Sequence, residues 1–216
     1  MFDAPIGHYL LLAVVAYLLG SAPTGVVVAR VYRNVDLTRV GSQRTGATNV
    51  TRTLGIGAGA IVLLGDLAKG ALAVWIGGQL LGTPAALGTA WLLSVFGHMH
   101  SVFLHWHGGR GVGTGLGGLA IILPPLFYLT AISGSLVVAA TRYVSLGSIT
   151  GIVVILVGCV VAYFTGALSG QLLPFGVLNP LLVLWAHRDN VQRLLTGQER
   201  RLGREETPTS EAGRSA

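Results

Sequence analysis

Four short polar segments hold the side chains on which chemistry would depend. The first, GSQRTGATNVTR at residues 41 to 52, combines glycines, hydroxyls, amides and two arginines. Glycines let a backbone turn until several N–H groups face one anion, and Arg44 and Arg52 supply forks that match phosphate oxygens. The run lacks the spacing of a nucleotide P-loop, and taken alone it also reads as an ordinary polar connector. The second, HGGRGVGTG at 107 to 115, is a glycine-rich turn that carries Arg110 toward the same kind of group. In the third, RYVSLGS at 142 to 148, Ser145 and Ser148 stand three apart at the start of an apolar helix, as caps that leave N–H groups free for an anion. The fourth, HRDNVQRLLTGQE at 187 to 199, sets His187, Asn190 and Arg193 at helical spacing, so that they share one face. Such groups together suit a small phosphorylated, water-soluble compound that meets a lipidic one. A transporter of organic phosphate would use the same groups, so composition leaves both open.

The elements that position these segments are membrane helices. With 216 residues, 52% hydrophobic, only 10% charged and a mean hydropathy of +0.69, the chain has too little charge for a soluble domain. Residues 9 to 29 are too long and lack the basic leader of a signal peptide, so they read as a retained span. Further apolar blocks run from 56 to 81, 86 to 104, 116 to 140, 147 to 168 and 171 to 186, each near the ~20 residues a crossing helix needs. The domain expectation is one polytopic membrane domain over 1–202, with a polar, proline-bearing disordered tail over 203–216.

Arginines follow the first, third, fourth and last of these blocks, whereas the amino terminus and the connectors near 82 to 85 and 169 to 170 have none. By the positive-inside rule the basic loops face the cytoplasm and the amino terminus lies outside. The segments holding Arg110 and Arg142 then sit on one side, and the block between them cannot cross once. Pro124 and Pro125 near its middle break the helix there, which predicts a re-entrant pair of half-helices and five full spans. GSAPTG at 20 to 25 interrupts the first block, either as a packing kink or as a ligand contact. Asp66 and Lys69, three apart, pair on one helical face as a support for the site. The lone Cys159 allows no internal disulfide, and the dispersed acidic residues offer no metal cage. The net charge of +6 belongs to membrane orientation rather than nucleic acid.

In order along the chain stand GSAPTG, GSQRTGATNVTR, Gly65–Asp66 with Lys69–Gly70, Gly97–His98 leading to GGRGV, RYVSLGS, and HRDN with RLLTGQE. This series, from Gly20 to Glu199, resembles the landmarks of the bacterial acyl-phosphate:glycerol-3-phosphate acyltransferase family, PlsY. The resemblance implies a multi-pass enzyme of the bacterial plasma (inner) membrane with an all-α, seven-helix fold and its active site toward the cytoplasm. It implies transfer of a fatty acyl group from acyl phosphate to the 1-hydroxyl of glycerol 3-phosphate, giving lysophosphatidic acid and phosphate for phospholipid synthesis. Partners are then the two substrates and membrane lipid, with no cofactor, no nucleic acid and no obligate protein partner.

By matching position, Ser42, Thr48, Asn49 and Arg52 look like the phosphate-holding groups of the first loop, and Arg110 stands where the family usually has lysine. Ser145, His187 and Asn190 align with the remaining polar lining, and Arg193 assists. The donors would stabilise charge on the carbonyl oxygen and the departing phosphate, with no covalent acyl-enzyme. Either His187 or a substrate phosphate oxygen would take the hydroxyl proton. Gln43, Arg44, His100, Ser101 and His107 depart from the family pattern. The HxxxxD signature of another acyltransferase design is missing. A membrane protein that binds or moves a phosphorylated metabolite without turnover is the alternative.

Overall fold

In hydrocarbon no water completes a backbone hydrogen bond, so long apolar blocks fold as helices whose N–H and C=O groups pair internally. The computed structural model of the chain describes residues 5–203. Among them it is all-α, with ten helices: α1 (Ile6–Ser21), α2 (Thr24–Arg33), α3 (Ala47–Leu54), α4 (Ile56–Leu80), α5 (Pro84–Met99), α6 (Val112–Ile122), α7 (Pro124–Thr141), α8 (Val144–Phe164), α9 (Leu173–Trp185) and α10 (Arg188–Leu195). Five segments are long and apolar enough to cross a membrane: α1 continued by α2, α4, α5 with the short 3-10 turn Val102–Leu104, α7 and α8. The tail expected to be disordered lies, beyond Gly203, outside the described residues.

The first apolar block does not run through as one helix. It breaks at Ala22 and Pro23, and the break exposes carbonyls that the interior must satisfy. Ser101 Oγ donates to Ser21 O at 2.6 Å and Lys69 Nζ donates to Ala22 O at 3.0 Å. Lys69 also pairs with Asp66 at 2.9 Å, and Asp66 Oδ1 accepts from Thr24 Oγ1 at 2.5 Å. GSAPTG thus breaks the helix, and Ala22 O and Thr24 Oγ1 tie the break to the buried pair of α4. Each charge-assisted bond of this kind is worth ~1.5–3 kcal/mol, and an unpaired charge at that depth would cost several.

The block from 116 to 140 breaks where its prolines demand. α6 ends at Ile122, and Pro124 opens α7 in the first turn, where a missing N–H does no harm. The two pieces are unequal, unlike the half-helix pair read from the sequence. α6 has 11 residues, about 16 Å, whereas α7 has 18, about 27 Å, enough to cross a bilayer. The second short apolar helix is α9, with 13 residues where the block 171 to 186 suggested a full span. Residues 169 to 172 turn first, and Pro174 lies in the first turn of the helix that follows.

Small residues let the helices close on one another. A side chain at Gly20 would run into Ser94 O of α5, and one at Gly70 into Thr114 O of α6, so α1 packs tightly on α5 and α4 on α6. Tyr9 Oη lies 2.9 Å from Thr83 Oγ1, which puts the start of α1 beside the α4–α5 turn. At the opposite end the segments 34–55, 100–111, 142–145 and 186–203 meet, and all four basic motifs fall among them.

Candidate active site

The first motif is shaped by one buried amide. Asn49 Nδ2 donates to Val40 O at 3.2 Å and to Arg44 O at 2.9 Å, while its Oδ1 accepts the Ser42 N–H at 3.0 Å. With both donors and the acceptor engaged, Asn49 folds the loop around itself instead of presenting its amide to an anion. Gly41 permits this turn, since its φ is +59° and a side chain there would strike Asn49 Oδ1. Leu37 and Val50 are fully buried beneath, with Ala29, Ala58 and Val62, and pin the loop to α2 and α4. The result directs Ser42, Arg44, Thr48, Thr51 and Arg52 to one cavity.

The second motif enters from α5. Gly109 N donates to His98 O at 3.1 Å, and Gly111, at φ +85°, turns the chain into α6. Arg110 is thereby held against the cavity. Burial, then the neighbouring cations Arg44 and Arg193, push the Arg110 guanidinium down to about 10, so it stays charged at neutral pH. Its Nε is buried without a hydrogen-bond partner.

The third and fourth motifs are tied together by Glu199, a residue the sequence reading passed over as part of a landmark. Its Oε1 accepts from Ser145 Oγ and Asn190 Nδ2, each at 2.9 Å, and its Oε2 from Arg193 Nε at 2.8 Å. Burial favours the neutral acid, yet the Asn190, Ser145 and Arg193 bonds outweigh it and hold the carboxyl below its usual range. Neither Ser145 nor Ser148 caps α8 as expected. Ser145 turns to Glu199, and Ser148 Oγ donates back to Val144 O at 3.0 Å. The segment around Glu199 straps across the site, with Arg52 Nη2 donating to Arg200 O at 3.0 Å and Leu202 N to Arg142 O at 2.8 Å.

His187 is 2% exposed and lies 2.7 Å, through Nδ1, from Val183 O. A carbonyl only accepts, so Nδ1 carries the proton and the neutral ring keeps its lone pair on Nε2. Burial, the largest influence, pushes the imidazole down to about 4, which keeps it neutral at pH 7. Asn190 must donate Nδ2 to Glu199, which leaves its buried Oδ1 without a partner. Two acceptors, His187 Nε2 and Asn190 Oδ1, thus stand in a cavity otherwise rich in donors.

That cavity has a volume of about 430 Å³. It is lined by Ser42, Thr48, Asn49, Arg52, Arg110, Ser145, His187 and Asn190 among the residues singled out from sequence, and by Arg44, Asp66, His98 and Glu199 besides. Arg193 lies off it, on an adjoining cavity. Its other wall is apolar, with Ile56 and Leu63 of α4, Val112 of α6 and Val144 of α8. Ile56 is 77% and Leu63 42% exposed, so this wall continues onto the apolar exterior of the helices. One end suits a phosphate and the other an alkyl chain.

Known proteins share the sequence and the fold of this chain. A family model for glycerol-3-phosphate acyltransferase matches residues 10–197. A protein of that name from Thermus thermophilus is 44% identical over 190 residues, covering 87% of this chain and 92% of its own. One from Rubrobacter xylanophilus is 40% identical over 196 residues, covering 89% and 94%. Among solved structures the chain is similar to PlsY, an integral membrane glycerol 3-phosphate acyltransferase, in its glycerol 3-phosphate form, with a TM-score of 0.83, 37% identity, and 90% and 96% of the two chains covered. The lysophosphatidic acid form of PlsY gives 0.81, 36%, 90% and 95%. The chain belongs to the glycerol-3-phosphate acyltransferase family.

Proposed function

We propose that the protein moves a fatty acyl group from acyl phosphate to the 1-hydroxyl of glycerol 3-phosphate, releasing lysophosphatidic acid and orthophosphate. The observation that carries this reading is the double nature of one cavity, with Arg44, Arg52 and Arg110 on one wall and Ile56 and Leu63 on the other. Arginines of this kind hold phosphoryl oxygens, and the apolar wall receives the acyl chain from the bilayer. The glycerol oxygen attacks the acyl carbonyl carbon, the bond from that carbon to the phosphate oxygen breaks, and orthophosphate leaves with the electron pair. Charge that builds on the carbonyl and leaving oxygens meets the guanidiniums and the Ser42 and Thr48 hydroxyls, in a site where water screens little.

His187 Nε2 and Asn190 Oδ1 accept from the glycerol hydroxyls and orient them. As a base His187 is poorly matched to neutral pH, since its imidazole sits near 4. A phosphate monoester, with a second pKa of about 6, is the stronger acceptor, and the hydroxyl proton passes to a phosphate oxygen. By the positive-inside rule the basic ends of the helices and the site face the cytoplasm and the amino terminus faces out. The likeness to bacterial relatives makes the host a bacterial inner membrane. With the shorter apolar helices α6 and α9 also inserted, the five crossing segments make a bundle of seven membrane helices.

Purified protein in detergent, supplied with long-chain acyl phosphate and glycerol 3-phosphate, should yield lysophosphatidic acid and orthophosphate one for one. Acyl-CoA in place of acyl phosphate should yield neither. Passage of labelled glycerol 3-phosphate across a proteoliposome without product would instead establish a transporter.

A further inference from the structure

The Arg110 side chain makes no salt bridge among the described residues, so the turn that carries it decides where the guanidinium stands. That turn is built of glycines pressed onto the end of α5. A Cβ at Gly108 would strike the carbonyls of His98 and Met99, one at Gly109 the His98 ring at Nε2, and one at Gly111 the Val95 side chain. His98 therefore supports the turn twice, through its ring and through its carbonyl, which accepts the Gly109 N–H at 3.1 Å. The other edge of the ring faces α4. Its Nδ1 lies 3.5 Å from Asp66 Oδ1, a separation at which the carboxylate orients the imidazole by charge more than by a hydrogen bond. Asp66 is fixed in turn by Lys69 and Thr24, and Lys69 by Ala22 O, so one buried series of contacts runs from the break between α1 and α2 to the Arg110 turn. Both His98 and Asp66 are buried and border the cavity.

We propose that His98, held by Asp66, is the positioning residue that sets Arg110 for the transition state. The role rests on the acyl-transfer reading, in which the guanidiniums meet charge that builds on the carbonyl and leaving oxygens. Arg44 and Arg52 stand on another loop and still bind the substrates when the Arg110 turn slackens. A misplacement of about 1 Å can cost about 10²-fold in rate. A loss confined to the transition state lowers kcat and spares KM.

The test is a double-mutant cycle on the purified full-length protein in detergent. His98→Asn keeps an amide donor for Asp66 near the place of Nδ1 and removes the ring edge beneath Gly109. It should lower kcat roughly 10- to 100-fold and leave KM for glycerol 3-phosphate nearly unchanged. In an Arg110→Ala background the same change should lower the slow residual rate by less than about twofold, because the residue it acts through is gone. Gly109→Ala disturbs the same contact from the side of the turn and should show the same coupling, so a folding failure of the His98 variant leaves the idea testable. A second readout needs no turnover. A nitroxide on the thiol of Arg110→Cys, in a Cys159→Ala background, should gain mobility when His98→Asn is added, whereas one on Thr48→Cys should not. Equal rate losses with and without Arg110 would overturn the proposal, and so would a label at 110 that stays as ordered as before. If the label is mobilised while the wild type makes no lysophosphatidic acid, the support of the turn stands and the acyl-transfer reading falls.

Discussion

Glu199 is where the site has most to lose from a single change. Its two oxygens hold Ser145 of α8, Asn190 of α10 and Arg193 of α10, with donor distances of 2.8 to 2.9 Å and the residue 8% exposed. Glu199→Ala removes all three bonds and leaves the Ser145 hydroxyl and the Asn190 amide buried without their acceptor. Each buried donor left without its acceptor costs ~1–3 kcal/mol, and the half-exposed Arg193 turns to water. Glu199→Gln keeps the shape and an oxygen for Ser145 and Asn190 but sets an amide N–H₂ against Arg193 Nε. That forfeits one charge-assisted bond of ~1.5–3 kcal/mol, and the lower end applies because the Arg193 side chain is 35% exposed and can turn to water. Thermal unfolding in detergent should place the variants in the order wild type, Gln, Ala. Acyl transfer should fall roughly 10-fold in the Gln variant if the whole loss appears in transition-state binding. The pH dependence has a definite sign. The folded carboxyl is depressed below 4.5, so its stabilisation is present above that value and fades as the pH falls from there through the folded pKa. The Gln variant should lack that fading. Two variants within ~0.5 kcal/mol of wild type would refute the view that this carboxylate assembles the site.

His187→Gln preserves a donor for Val183 O and an acceptor for a hydroxyl, so steady-state turnover should stay within about tenfold, whereas loss of an obligate general base would cost about 10² to 10⁴. Because burial lowers the His187 pKa to about 4 from 6.5, stability should also decline as pH falls through that window, at most about 1.4 kcal/mol per unit, and His187→Gln should flatten the slope in a denaturation series. Arg110→Ala should abolish most acyl transfer, while Arg110→Lys keeps the charge and should retain a measurable rate in the product assay, since the fork has only the phosphate to match. Gly109→Ala would drive a methyl into the His98 ring, and its unfolding temperature should drop while that of Gly46→Ala, which meets nothing, should not.

Much of this arrangement is legible in the chain itself, where a local rule and the tertiary solution coincide. Pro124 and Pro125 announce a helix break, and the structure breaks at Leu123. Asp66 and Lys69 at a spacing of three announce a pair, and the pair forms. The basic motifs, far apart in sequence, lie around one cavity because α4, α5, α8 and α9 deliver their ends to one face. What could not be read depends on distant partners. Glu199 follows a surface helix in a polar stretch, and nothing local says that Ser145, 54 residues away, will donate to it. Asn49 looks like a ligand by type, and only the fold reveals that Val40, Ser42 and Arg44 consume its amide. Hydropathy likewise gives the apolar block at 171 to 186 but not the turn over 169–172 that shortens α9 to 13 residues.

The central claim is that loops separated along the chain converge on one face as a pocket for phosphoryl oxygens. Cys159 is the only cysteine and is buried, so Cys159→Ala with either Ser42→Cys or Arg110→Cys gives a single reporter thiol in sealed membrane vesicles of known orientation. Both thiols should react with a membrane-impermeant reagent from the same side, and glycerol 3-phosphate should protect both. Labelling of the two positions from opposite sides would contradict the account.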